Sequence, residues 1–106
     1  MSEVPGFKDF LDEMYEIHKK KNNDYAGQRD PFKNFNLCEQ MGLCSTEIGI
    51  LVRITDKISR VSTLIGSGKA PDVIMESLID TCIDGANYFI LLACKLKIKD
   101  EEMKKQ

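Results

Sequence analysis

The sequence predicts an all-α fold: three long helices and a long ordered loop, packed as a bundle. Three observations carry this reading. Apolar residues recur at three- and four-residue steps in three separate stretches. No segment alternates with the two-residue period of a half-buried strand. The breakers Gly66, Ser67, Gly68 and Pro71 stand between the last two stretches. With 106 residues, 42% of them hydrophobic and 30% charged, residues 1–106 read as one globular domain.

Phe7, Phe10, Leu11, Met14, Tyr15 and Ile17 place a first amphipathic helix at residues 5–21. His18, the sole histidine, lies at the edge of that helix and reads as a boundary residue. Residues 22–43 show no sustained period and carry Asn-Asn-Asp, Asp-Pro and Met-Gly breakers, so they read as a long loop with one helical turn near Asn36–Met41. Tyr25, Phe32 and Phe35 make it a packed loop. Ser45 and Thr46 can cap a second helix that runs to Ile65, with Leu51, Ile54, Ile58, Val61 and Ile65 as its apolar stripe. Ile48, Val52 and Leu64 lie off that stripe and invite a second chain. Asp72 opens the last helix, whose most apolar part is Val73 to Leu96, and residues 99–106 read as a charged, frayed tail.

A net charge of −2 argues against direct nucleic-acid binding, since phosphate-backbone affinity rests on a surplus of Lys and Arg. The apolar residues after Met1 are broken by Glu3, Pro5, Lys8 and Asp9, so no secretory leader is expected. No uninterrupted apolar run approaches the ~20 residues of a membrane span. Cys38, Cys44, Cys82 and Cys94 form no CxxC pair, which points to reduced thiols and a cytoplasmic setting. The chain has no P-loop, no dinucleotide-binding glycine fingerprint and no zinc-deaminase motif.

Glu76, Asp80 and Asp84 recur every fourth residue in the last helix, and Asn87 continues them, so the four share one narrow stripe. Clustered carboxylates need cations or donors to stay ionised, and Mg²⁺ takes oxygen ligands of this kind. A solvated acidic edge accounts for the same spacing. Arg53, Asp56, Lys57 and Arg60 cluster in the second helix, either as intrahelical ion pairs or as cations for phosphate.

Three stretches carry a resemblance: Lys20-Lys21-Asn22-Asn23-Asp24-Tyr25 with Asn34-Phe35, then Leu51 through Arg60, then Asp80 through Tyr88. Together, V-R-I-x-D-K-x-x-R followed by D-T-x-x-D-x-x-x-Y resembles the nucleotide-modification-associated domain of phage and bacterial proteins over residues 15–95. A looser similarity links the layout to MazG-like all-α nucleotide pyrophosphohydrolases, which bind Mg²⁺ through carboxylates on neighbouring helices.

The resemblance implies hydrolysis of a standard or modified (deoxy)nucleoside triphosphate to monophosphate and pyrophosphate. Glu76, Asp80 and Asp84 would hold Mg²⁺ (or Mn²⁺). Glu47, as an added ligand or as the base for water, and Asp56, positioning the phosphates, would be the catalytic pair. Arg53, Lys57 and Arg60 would grip phosphates, Asn87 would place the nucleotide or a metal-bound water, and Asp24, Tyr25 and Asn34 would close over base and sugar. A homodimer or homotetramer would complete the bundle. The competing expectation is a non-catalytic helical module that binds a nucleotide or a protein and oligomerises.

Overall fold

The computed structural model describes residues 3–25, 32–68 and 71–105, with only the backbone described for residues 22–25 and 71–73. Four helices follow one another: α1 (Phe7–Tyr25), α2 (Lys33–Gln40), α3 (Thr46–Gly66) and α4 (Pro71–Lys104). No strand occurs among the described residues, as the absence of two-residue alternation predicts. The fold is all-α.

Two boundaries differ from the sequence expectation. The segment read as one loop holds the last turn of α1 and all of α2. The eight residues of α2 bury no side chain fully, and Phe35 packs onto the core instead. Contact with α3 holds this helix, and a period shorter than two turns has little to show. The tail also stays helical through Lys104, because Lys97–Glu101 at 3.8 Å and Asp100–Lys104 at 3.0 Å pair one turn apart.

Ser45 caps α3 from an extended backbone conformation, its hydroxyl accepting from the Ile48 N–H at 3.2 Å. Ser45→Ala should therefore cost about 1 kcal/mol in urea denaturation; an unchanged midpoint would mean the cap carries no stability. At the other end, Gly68 turns the chain at φ +65, a left-handed conformation that favours glycine.

α4 packs along α3, α2 packs on α3, and α1 packs on α4. Contacts run from Glu47–Lys99 through Arg53–Tyr88 and Lys57–Asp84 to Arg60–Ser77, so α3 and α4 are antiparallel. The main core joins Phe32, Ile50 and Ile54, with Phe35, Tyr88, Leu91 and Leu92 against it. Met14 and Ile83 are buried as well. Beside the core, the buried Thr46 hydroxyl lies 3.0 Å from both Asn36 Oδ1 and Glu39 Oε2, tying α2 to the start of α3. One hydroxyl proton serves one acceptor at a time. Thr81 satisfies its buried hydroxyl by donating to the Ser77 carbonyl at 2.7 Å.

The inward line of α3 is Thr46, Ile50 and Ile54, rotated from the stripe the sequence suggests. Ile54 belongs to both, but Leu51, Ile58 and Ile65 are exposed on the single chain, as are Ile48 and Val52. Over Ile74–Lys104, α4 is by length and composition long and apolar enough to cross a bilayer. Scattered charges break every continuous apolar run within it.

Candidate functional site: a cationic seam beside an aromatic pocket

The antiparallel packing of α3 on α4 sets a line of α3 cations against a polar line on α4. Arg53, Lys57 and Arg60 follow at four and three residues along α3; Tyr88, Asp84 and Ser77 answer them in reverse order on α4. The Arg53 guanidinium lies 5.8 Å from the centre of the Tyr88 ring. Hydrogen bonding to Tyr88 and its charge interaction raise the Arg53 pKa above its usual value, with a smaller contribution from Asp56. Arg60 donates to the Ser77 hydroxyl at 3.1 Å.

Asp84 stands at the middle of the seam. Lys57 Nζ lies 3.7 Å from one of its oxygens and Lys21 Nζ, from α1, 3.4 Å from the other. Lys57 and Asp84 are partly covered, at 25% and 32% side-chain exposure. The spacing of Lys57 from Asp84 is that of an ion pair rather than a tight hydrogen bond. Gly85 faces the Lys57 stem, and a Cβ there would sit 3.5 Å from Lys57 Cβ, in ordinary van der Waals contact. Three helices thus bring two ammonium groups to one carboxylate. The local excess of charge is positive, although the chain as a whole is acidic.

One helical turn toward the start of α3, the seam opens into a pocket of 430 Å³. Asn34, Phe35, Arg53 and Tyr88 line it together with Val52 and the thiols of Cys38 and Cys44. The Phe35 and Tyr88 rings meet edge to face at 6.1 Å. Gly49 forms part of the wall, its Cα facing Phe35 and Cys44. Cys44 is half-buried, and desolvation, followed by the neighbouring Cys38, raises its thiol pKa. It therefore stays a neutral thiol at pH 7, not a reactive thiolate.

The sequence-predicted site residues do not all converge. Asn34, Arg53, Lys57 and Asp84 lie along the seam and its pocket. Arg60 lies at the far end of the seam, and Asp56 is exposed and 3.8 Å from Arg53 on the same helix. Glu47 belongs to the opposite end of the α3–α4 packing, 18% exposed and 3.6 Å from Lys99. Asn87 is half-buried on α4. The side chains of Asp24 and Tyr25 lie outside the described residues.

Glu76 and Asp80 are exposed on α4, and no described cation pairs with either. Among the described residues of one chain, no three His, Cys, Asp or Glu side chains gather to hold a metal ion. An all-protein cage is therefore not what Glu76, Asp80 and Asp84 form here. Mg²⁺ commonly needs less: one or two carboxylates, several waters and the oxygens of a bound phosphate. Glu76 and Asp80, one turn apart and uncommitted, fit that smaller donor set.

Sequence reasoning missed two members of the site. Lys21 sits inside a quoted motif without a site role, and only the packing of α1 on α4 delivers it to Asp84. Tyr88 sits inside a quoted motif, but its place over Arg53 follows from the register of two helices. Compared with family models, curated proteins and solved structures, the chain has no significant match in any of the three.

Proposed function

We propose that this chain binds a nucleoside triphosphate along the α3–α4 seam and hydrolyses it to monophosphate and pyrophosphate. The observation that carries the binding half is the adjacency of the aromatic pocket to the cationic line. Phe35, Tyr88 and Asn34 offer ring faces and an amide to a base, and Arg53 and then Lys57, one helical turn on, follow as cations for the phosphates. Arg60 and Lys21 extend the positive surface. Arg is suited to the oxygen fork of a phosphate, and Lys supplies a point charge.

Asp84 acts in this reading as an orienting group. It holds Lys57 and Lys21 in place while the site is empty, and the arriving phosphates take over its share of their charge. Glu76 and Asp80 would hold a Mg²⁺ or Mn²⁺ ion that enters with the nucleotide and neutralises phosphate charge there. The hydrolytic half rests on the resemblance of the motifs to nucleotide pyrophosphohydrolases. Pairing of Asp84 with two lysines favours a second reading, a module that binds the nucleotide without cleaving it.

A panel of nucleoside triphosphates with Mg²⁺ or Mn²⁺, reading phosphate and pyrophosphate separately, distinguishes the two. Pyrophosphate release is the expected result. Binding by calorimetry without release would establish the second reading, and failure to bind any nucleotide would sink both.

A further inference from the structure

We propose that Cys38 and Cys44 are a redox pair that a peroxide closes into a disulfide in the wall of the aromatic pocket. They stand six positions apart, too far for a CxxC pair, and the way α2 ends brings them together. Gly42 turns left-handed at φ +75, and its N–H donates to the Glu39 carbonyl at 3.0 Å. The Leu43 N–H reaches back to the Cys38 carbonyl, also at 3.0 Å. This pair of bonds is a Schellman turn, and it folds the chain after α2 back beside Cys38. Cys44 comes next, and both thiols line the same 430 Å³ pocket. Neither is bridged and both are half-buried, so a small oxidant reaches them from the pocket. Cys82 and Cys94, by contrast, are twelve residues and so about 18 Å apart along α4, out of each other's reach.

The protons assign the two roles. Cys38 Sγ donates to the Asn34 carbonyl at 3.7 Å, one turn back. Cys44 hydrogen-bonds to Cys38 and keeps its own proton, because burial first and Cys38 second raise its pKa. A thiolate formed at Cys38 therefore has a thiol donor already facing it. Cys38 attacks one peroxide oxygen: the O–O bond breaks, a sulfenic acid forms on Cys38, and the departing hydroxide takes the proton Cys38 gave up. The Cys44 sulfur then attacks the Cys38 sulfur: the S–O bond breaks, and hydroxide leaves with the Cys44 proton as water. The thiols lose two electrons and the peroxide gains them. The bridge ties α2 to the residue before the α3 cap. Phe35 of α2 and Tyr88 of α4 already meet edge to face at 6.1 Å, and a base stacking between them must part them. The tie opposes that parting, a consequence that rests on the nucleotide reading, whereas the disulfide does not.

The test treats the full chain with hydrogen peroxide, alkylates the remaining thiols and maps tryptic peptides by mass. No Lys or Arg lies between Asn34 and Val52, so one peptide carries both thiols of the pair. It should lose two hydrogens, resist alkylation and recover both thiols in dithiothreitol. The peptide that carries Cys82 and Cys94 should stay open to alkylation. Cys44→Ser should leave a Cys38 sulfenic acid that dimedone traps, and Cys38→Ser should slow oxidation of Cys44 several-fold. The double variant Cys82→Ser, Cys94→Ser should bridge like wild type. Sulfinic acid at Cys38 in place of the bridge would overturn the proposal, as would bridges to Cys82, to Cys94 or to a second chain instead of the internal one. By calorimetry, the bridged chain should bind nucleotide several-fold more weakly than the reduced chain, and dithiothreitol should restore the affinity. Equal affinity in both forms would overturn the link from bridge to pocket. A reduced chain that binds no nucleotide would overturn the nucleotide reading and leave the disulfide standing on its own peptide map.

Discussion

Replacing Arg53 or Lys57 by Ala should slow nucleotide turnover by about 10²–10³, equivalent to about 2–4 kcal/mol of lost transition-state stabilisation. In the proposed reaction charge would accumulate on the phosphates as pyrophosphate leaves, and a cation fixed beside it would act where water is partly excluded. Lys57 is the more telling of the two. Its partner Asp84 keeps a second cation, Lys21 at 3.4 Å, so the variant leaves no carboxylate stranded. Because both groups are a quarter to a third exposed, solvent screening holds the stability cost below about 1 kcal/mol.

The two losses are thus of different size, and Lys57→Ala should be folded yet slow. Arg60→Ala should fall between it and wild type, since Arg60 reaches Ser77 at the far end of the seam. Lys97→Ala is the control: that side chain is largely in water and pairs with Glu101 at 3.8 Å, so turnover should not change. Equal turnover in all four variants would remove the seam from the reaction. Loss of turnover with unchanged nucleotide affinity would place the cations on the transition state alone.

Much of this arrangement is legible in the chain, and the parts that are not have physical reasons. The second helix announces its start because Ser45 supplies the cap oxygen that its first turn needs, and the Gly-Ser-Gly-x-x-Pro run announces its end. Its inward face is less visible. Ile50, Leu51, Ile54, Ile58, Val61 and Ile65 cover a wide arc, and only the neighbour decides which part of that arc turns inward. Arg53, Lys57 and Arg60 are legible as a cluster, and the same rotation brings them to the rim of the α3–α4 packing, where Lys57 is partly covered and the two arginines stay exposed. Glu47 illustrates the limit: its partner Lys99 sits in a segment that reads as tail, and the helical pairs that extend α4 put it in reach. The stripe of Glu76, Asp80 and Asp84 was legible as spacing alone. What separates Asp84 from the other two is a lysine delivered by α1, sixty-three positions away in the chain.

Truncating Ile54 to Ala should cost about 2–5 kcal/mol in urea denaturation, a large share of the ~5–15 kcal/mol that holds a domain together. Ile54 is 1% exposed and, among the described residues, shares its cluster with only Ile50 and Phe32 as buried apolar partners. A core this thin has few neighbours able to shift into the cavity, so the cost should lie well above the transfer term alone. Ile65→Ala makes the comparison informative. Ile65 is 70% exposed, and its truncation should cost no more than about 0.5 kcal/mol. An Ile54→Ala protein within about 0.5 kcal/mol of wild type would mean that α3 packs on another face and that the register of the cationic seam is wrong with it.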